Sequence, residues 1–99
     1  MVDLSGITGF DWDAVNRDNH WIDHAVSTGE CEEVFFNLPL LLKHDPAHSA
    51  SEARSFVLGQ TNAGRHLIIA STIRSDKIRV ISARDMSKKE RSAYGEAHT

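Results

Sequence analysis

Three arginines, Arg74, Arg79 and Arg84, lie close together in the second half of the chain. A guanidinium group suits phosphate because it offers planar paired donors and keeps its charge. Arg79 and Arg84 belong to Lys77-Ile78-Arg79-Val80-Ile81-Ser82-Ala83-Arg84-Asp85. Apolar and cationic residues alternate there, which is the period of a strand with one face on a core. Strict alternation puts Arg79 and Arg84 on opposite faces; only a bulge, or a strand end near Ala83, would change that for Arg84. Arg74 ends the preceding strand, and antiparallel pairing can bring it close to Arg79. Taken one at a time, each arginine reads better as a solvated cation that blunts a sheet edge or pairs with Glu90 or Asp85.

His24 falls near the end of the first helix, where an imidazolium is stabilised by the helix dipole. A histidine titrating near neutrality can exchange protons with a ribose 2′-hydroxyl or a leaving oxygen. A surface histidine closing a helix is an equally good reading. His20 and His24, four apart, form half of a zinc site, but His44, His48 and Cys31 stand at no recognised ligand spacing, so no metal and no cofactor is expected. Tyr94 either packs its ring or offers a phenol to a leaving group, and packing is the simpler role. Cys31 reads as core. No phosphate-binding glycine loop, dinucleotide fingerprint or nucleophile elbow occurs.

These residues need elements to hold them. Residues 1–9 are small and polar and form a flexible lead-in. Phe10-Asp11-Trp12 alternates like a short strand, and Asp13 can cap a helix from Ala14 to about Val26. Val15, Ile22 and Val26 recur on its inner face, with Asn19 beside them. Ser27-Thr28-Gly29-Glu30 is a capping box, so a second helix follows with Cys31, Val34 and Phe35 inward, ending at Asn37 and Pro39. Leu38 to Leu42 can pair briefly, and residues 44–51 read as a loop. Ala53 to Gly59 and His66 to Arg74 are strands, with Phe56 and Leu58 opposite in face to Val57. Ser75-Asp76 turns the chain, and Lys77 to Ala83 returns antiparallel. Met86 to Glu96 is a last helix, capped by Ser87 or Asp85. The expected fold is α+β: N-terminal helices, a three- to four-stranded antiparallel sheet, and a C-terminal helix, with the helices on one face.

Ninety-nine residues make one domain, residues 1–99. No apolar run approaches the roughly 18 residues of a membrane span. The start of the chain lacks the basic-then-apolar layout of a signal peptide. One cysteine cannot form an intrachain disulfide and fits a reducing compartment, so the cytoplasm is the expected location. The net charge of -3 hides an asymmetry: residues 1–50 carry -7 and residues 51–99 carry +4. A basic half can offer a local phosphate-binding surface even where the whole chain is a poor non-specific polyanion binder.

Short motifs run through the chain in a specific order: Phe10-Asp11-Trp12-Asp13, Asn19, His24-Ala25-Val26, Glu33-Val34-Phe35, Asp45-Pro46, Leu58-Gly59, Arg79-Val80-Ile81-Ser82-Ala83-Arg84, then Glu90-Arg91 and Tyr94. Together they resemble the BrnT family of toxins, small ribonucleases of bacterial toxin–antitoxin pairs. The resemblance implies a RelE-like fold and a metal-independent endoribonuclease that blocks translation. It also implies a BrnA-like antitoxin that covers the toxin and binds operator DNA. On this chain it implies His24 as proton donor or acceptor, Arg74, Arg79 and Arg84 on the phosphate, and Tyr94 as a weaker catalytic candidate. Arg65, Lys77, Lys88 and Arg91 are the expected RNA contacts. Four positions depart from the pattern: Asp23 and Asn16 replace lysines, Ala25 replaces a glycine, and Ile73 replaces an acid. The missing lysines lower the positive potential where RNA should lie. The alternative is therefore a catalytically eroded BrnT-like protein acting as a binding or inhibitory module. A further possibility is a chain that only sets an antitoxin's DNA-binding geometry.

Overall fold

The computed structural model describes residues 6–17, 24–44 and 54–97. In chain order the elements are β1 (Gly9–Phe10), α1, whose described helical residues are 14–17 and 24, α2 (Thr28–Phe36), β2 (Leu41–His44), β3 (Arg54–Gln60), β4 (His66–Arg74), β5 (Lys77–Asp85) and α3 (Lys88–Ala97). The expectations for Asn19, His20, Ile22, Asp23, the Asp45-Pro46 pair and His48 fall outside the described residues.

The five strands form one sheet in the order β1-β5-β4-β3-β2. Strands β2 to β5 pair antiparallel, as their alternating patterns require. The fifth strand corrects the expected count. β1 joins the edge of β5 in parallel, with Gly9 opposite Lys77 and Phe10 opposite Ile78. The β4–β5 turn puts Ser75 at φ +58°. That is the left-handed conformation a two-residue hairpin asks of its first central residue.

One irregularity decides which way β5 points. Ala70 faces Ser82 but Ser71 faces Val80, so Ile81 is an extra, unpaired residue on β5. Ile78 and Val80 bury on one face before it, and Ala83 buries on that same face after it. The other face changes parity too: Arg79 pairs with Thr72 and Arg84 with Ile68, both on that second face. The bulge therefore places Arg79 and Arg84 together, against the reading from strict alternation.

Two cores result. Val57, Leu67, Ile69, Val80 and Ala83 pack with Val26 and with Cys31 and Val34 of α2 on the first face. Leu58 packs with Met86 and with Tyr94 of α3 on the second. The helices thus lie on both faces, not one, because the apolar positions of β3 and β4 alternate to both sides. Gly59 marks the closest approach of α2: a Cβ there would stand 2.7 Å from Val34 Cγ1. Burial pushes the Cys31 thiol up to about 12.

Helix ends follow the sequence signals. Ser27 and Glu30 form the reciprocal capping box of α2. Ser87 and Glu90 repeat it on α3, with Ser87 N to Glu90 Oε1 at 2.8 Å and Glu90 N to Ser87 Oγ at 3.2 Å. Asp13 Oδ1 accepts from the Val15 and Asn16 amides at the start of α1. Val15, however, is 66% exposed and Asn16 is buried in its place. Burying that amide is tolerated because its bonds are made. Asn16 Nδ2 donates to Asp11 O (2.8 Å) and Val80 O (2.9 Å), and its Oδ1 accepts from Asp13 N (2.7 Å).

Arg65 fastens the ends of three elements. Its Nε and Nη2 donate to the two oxygens of Asp85, at 2.7 and 3.0 Å. Nη1 donates to Glu30 Oε2 at 3.1 Å and to Ala25 O at 2.9 Å, and Nη2 also donates to His24 O at 3.1 Å. All five guanidinium donors are used. Two of them close the carbonyls beside Ala25, which sits at φ +52°. That conformation strains an L-residue and favours glycine.

Three outcomes follow from this packing. Ala25→Gly removes the left-handed strain and should raise stability by about 1 kcal/mol in urea unfolding. Gly59→Ala should lower it by about 1–3 kcal/mol in the same measurement, because Val34 must shift. The third concerns acid. Arg65 hydrogen-bonds hold Asp85 below the usual carboxylate range, and burial of Glu30 is outweighed by the Ser27 amide and Arg65. Hydrogen bonds from Arg84 hold Glu90 at about 2. A carboxyl lowered by folding stabilises the protein fully above its unfolded pKa and loses that contribution as pH falls through the folded value. Melting temperature should therefore decline from about pH 4 downward, and Arg65→Ala should melt lower at neutral pH and show a shallower acid decline.

Candidate functional site

The second face of the sheet carries a pocket of about 240 Å³ at its β4–β5 hairpin end. Register builds it. Arg54 on β3 pairs with Thr72 on β4, and Thr72 pairs with Arg79 on β5. Those three residues form one row across three strands, which sets the two arginine backbones about 10 Å apart. Arg74 lies two residues beyond Thr72 on the same strand and lines the same pocket, with Asn16 and Ile81 on its far side. Arg54, Arg74, Arg79 and Thr72 thus line one concave place, residue types whose donors match the oxygens of a phosphodiester. Lys77, exposed, pairs in register with Arg74 and stands beside it at the hairpin.

The Arg79 side chain is 14% exposed. Asp13 Oδ2 lies 2.9 Å from its Nη2 and Asp11 Oδ1 lies 3.6 Å from its Nη1. The Asn16 amide and, beyond it, the Arg79 guanidinium hold the Asp13 carboxyl below its usual range. Asp11 and Asp13 carry no catalytic signal in sequence, and no motif marks Arg54, which lies inside the strand expected from Ala53 to Gly59. Its pairing with Thr72, which pairs in turn with Arg79, puts it on the Arg79 side, and that depends on two strand registers rather than on a local signal.

The remaining candidates gather at the other end of β5. Arg84 is bidentate with Glu90, at 2.8 and 2.9 Å, and also donates to Asp85 O. Lys88 and Arg91 are exposed in the first turn of α3. His24 is exposed, and its carbonyl lies on Arg65 beside Asp85, whose carboxyl feels the charges of His24 and Arg91. Asp85 is six residues from Arg79 along the strand, about 20 Å of extended chain, and points to the opposite face. The structure therefore brings Arg74 and Arg79 together, places Arg84 on their face but further along, and does not bring His24 to them. Arg65 spends its donors inside the protein. Tyr94 is buried, with its ring edge-on to His66 and its hydroxyl donating to Pro39 O. Among the described residues, no group of three or more histidine, cysteine or acidic side chains stands together as a metal site.

No helix among the described residues is long and apolar enough to cross a membrane. Comparison with curated proteins finds no match. The family model described as ribonuclease toxin, BrnT, of type II toxin–antitoxin system matches residues 12–90. That span runs from the aromatic-acidic segment before α1, through every strand from β2 to β5 and the arginine pocket between them, to the capping glutamate of α3. The chain belongs to the BrnT family of type II toxin–antitoxin ribonuclease toxins.

Proposed function

We propose that this chain is the toxin of its pair and acts as a metal-independent endoribonuclease that inhibits translation. The observation that carries the reading is the lining of one pocket of the sheet by Arg54, Arg74, Arg79 and Thr72. The scissile phosphodiester lies there. The 2′-oxygen of the preceding ribose bonds to phosphorus as the bond to the 5′-oxygen breaks, leaving a cyclic phosphate and a free 5′-hydroxyl. The 2′-hydroxyl proton leaves to solvent and the 5′-oxygen gains one. The guanidinium groups stabilise the charge that builds on the phosphoryl oxygens. Lys77 and the α3 cations Lys88 and Arg91 contact the flanking strand. The partner is a BrnA-like antitoxin that covers this surface, and operator DNA is reached only through it.

His24 fits this scheme only as a contact further along the RNA, given its position at the far end of β5. A proton-transfer role for it would move the scissile phosphate to Arg84 and Arg91. The second reading, a binding or inhibitory protein without cleavage, is favoured by the carboxylates already on Arg79 and Arg84.

Purified protein free of antitoxin should cut end-labelled RNA in EDTA. Arg79→Ala should slow cleavage by about 10²–10³. His24→Ala should change it by less than about tenfold, well short of the loss expected of a general acid or base. Equal losses in both variants would place the chemistry at the His24 end. RNA binding without cleavage, in folded protein, would establish the second reading instead.

A further inference from the structure

We propose that Asp11 and Asp13 are positioning residues for Arg79, setting the guanidinium that meets the phosphate; the inference rests on the ribonuclease reading of the pocket. An arginine side chain has about 2 kcal/mol of rotamer entropy to lose. A guanidinium fixed before RNA arrives needs no reorganisation when charge develops. Here two carboxylates engage the two terminal nitrogens of Arg79, at 2.9 and 3.6 Å. A guanidinium has five N–H donors, so donors are left over for a phosphate.

The carboxylates are themselves firmly mounted, which separates them from a chance surface pairing. The segment Phe10-Asp11-Trp12-Asp13 alternates sides. Phe10 and Trp12 turn to the α2 side, stacked at 6.5 Å, with Phe10 edge-on to Phe35 and Trp12 Nε1 donating to Glu32 Oε2 at 2.7 Å. Asp11 and Asp13 turn the other way, to Arg79. The backbone between them is fixed to β5 by Asp11 N to Ile78 O at 2.8 Å, and to α1 by Asn16 Nδ2 to Asp11 O. Consecutive β5 residues receive the two sides: Ile78 lines the aromatic cluster and Arg79 the arginine pocket. A four-residue stretch thus carries the geometry of α2 to the phosphate site.

The opposite role is also chemically possible, since a carboxylate on an arginine competes with phosphate. The two roles give opposite signs. In Asp11→Asn, Asp13→Asn and the double variant, the N-cap of α1 survives because asparagine caps as well as aspartate. Cleavage of end-labelled RNA in EDTA should fall about tenfold in kcat for the double variant, with KM and melting temperature little changed. In an Arg79→Ala background the same changes should have no further effect, because the residue they position is gone. Faster cleavage, unchanged cleavage, or a loss that adds fully to Arg79→Ala would overturn the proposal while leaving the ribonuclease reading intact. If the native protein cuts no RNA, that reading fails, and side-chain NMR decides the positioning separately. The Arg79 Nη–H signals should exchange slowly in the native protein and rapidly in the double variant; equal exchange in both would refute it.

Discussion

The extra residue Ile81 is the constraint on which the sheet depends. A strand buried on two sides must keep each side chain on its own face over its whole length. β5 cannot do so with a simple alternation. Its inward residues are Ile78 and Val80 at one end and Ala83 at the other. Without the inserted residue, Ala83 would leave the α2 core or Val80 would. With it, one core closes around Cys31 and Val34, and the opposite face receives Arg79 and Arg84. The bulge thereby brings Arg84 to the face of the arginine pocket, while the pocket's own row, Arg54, Thr72 and Arg79, is set by the register on the hairpin side of it.

Arg65 and Arg79 show how the same side chain serves two ends. Both are flanked by two carboxylates and both are mostly shielded from water. Arg65 makes five hydrogen bonds to three parts of the chain and has nothing left to give. Arg79 meets two carboxylates at its terminal nitrogens and lines open space with Arg54 and Arg74. Counting donors, rather than noting charge, separates a fastening from a binding group. The acidic first half of the chain enters the argument in the same way. Asp11, Asp13 and Glu30 are spent on arginines of the basic second half, so the segregation of charge in sequence becomes pairing in space.

Much of the fold was legible in the sequence because its signals are local. The capping box at Ser27, the turn at Ser75-Asp76 and the span of β4 each depend on residues a few positions apart. The two-sided apolar pattern of Leu67-Ile68-Ile69 already held the reason for helices on both faces. The parallel pairing of β1 was not legible, since two residues carry no register of their own. The site was legible only in part. Arg74 and Arg79 share a hairpin and could be paired from sequence. Arg54 enters through a second strand pairing, and the separation of His24 depends on where Arg65 ties the carbonyls of His24 and Ala25, a contact between residues some forty apart. Family motifs supplied the residues together without their distances.

Cys31 has a practical consequence of a different kind. Its thiol is fully buried against Val26 and Val34 and is held protonated far above neutral pH. The thiolate is the nucleophile that adds to a maleimide, so burial and protonation both disfavour labelling of this sulfur in the folded protein. A single cysteine placed on the surface can then carry a fluorophore or spin label without first deleting the native one. Distances across the molecule become measurable in the unaltered core.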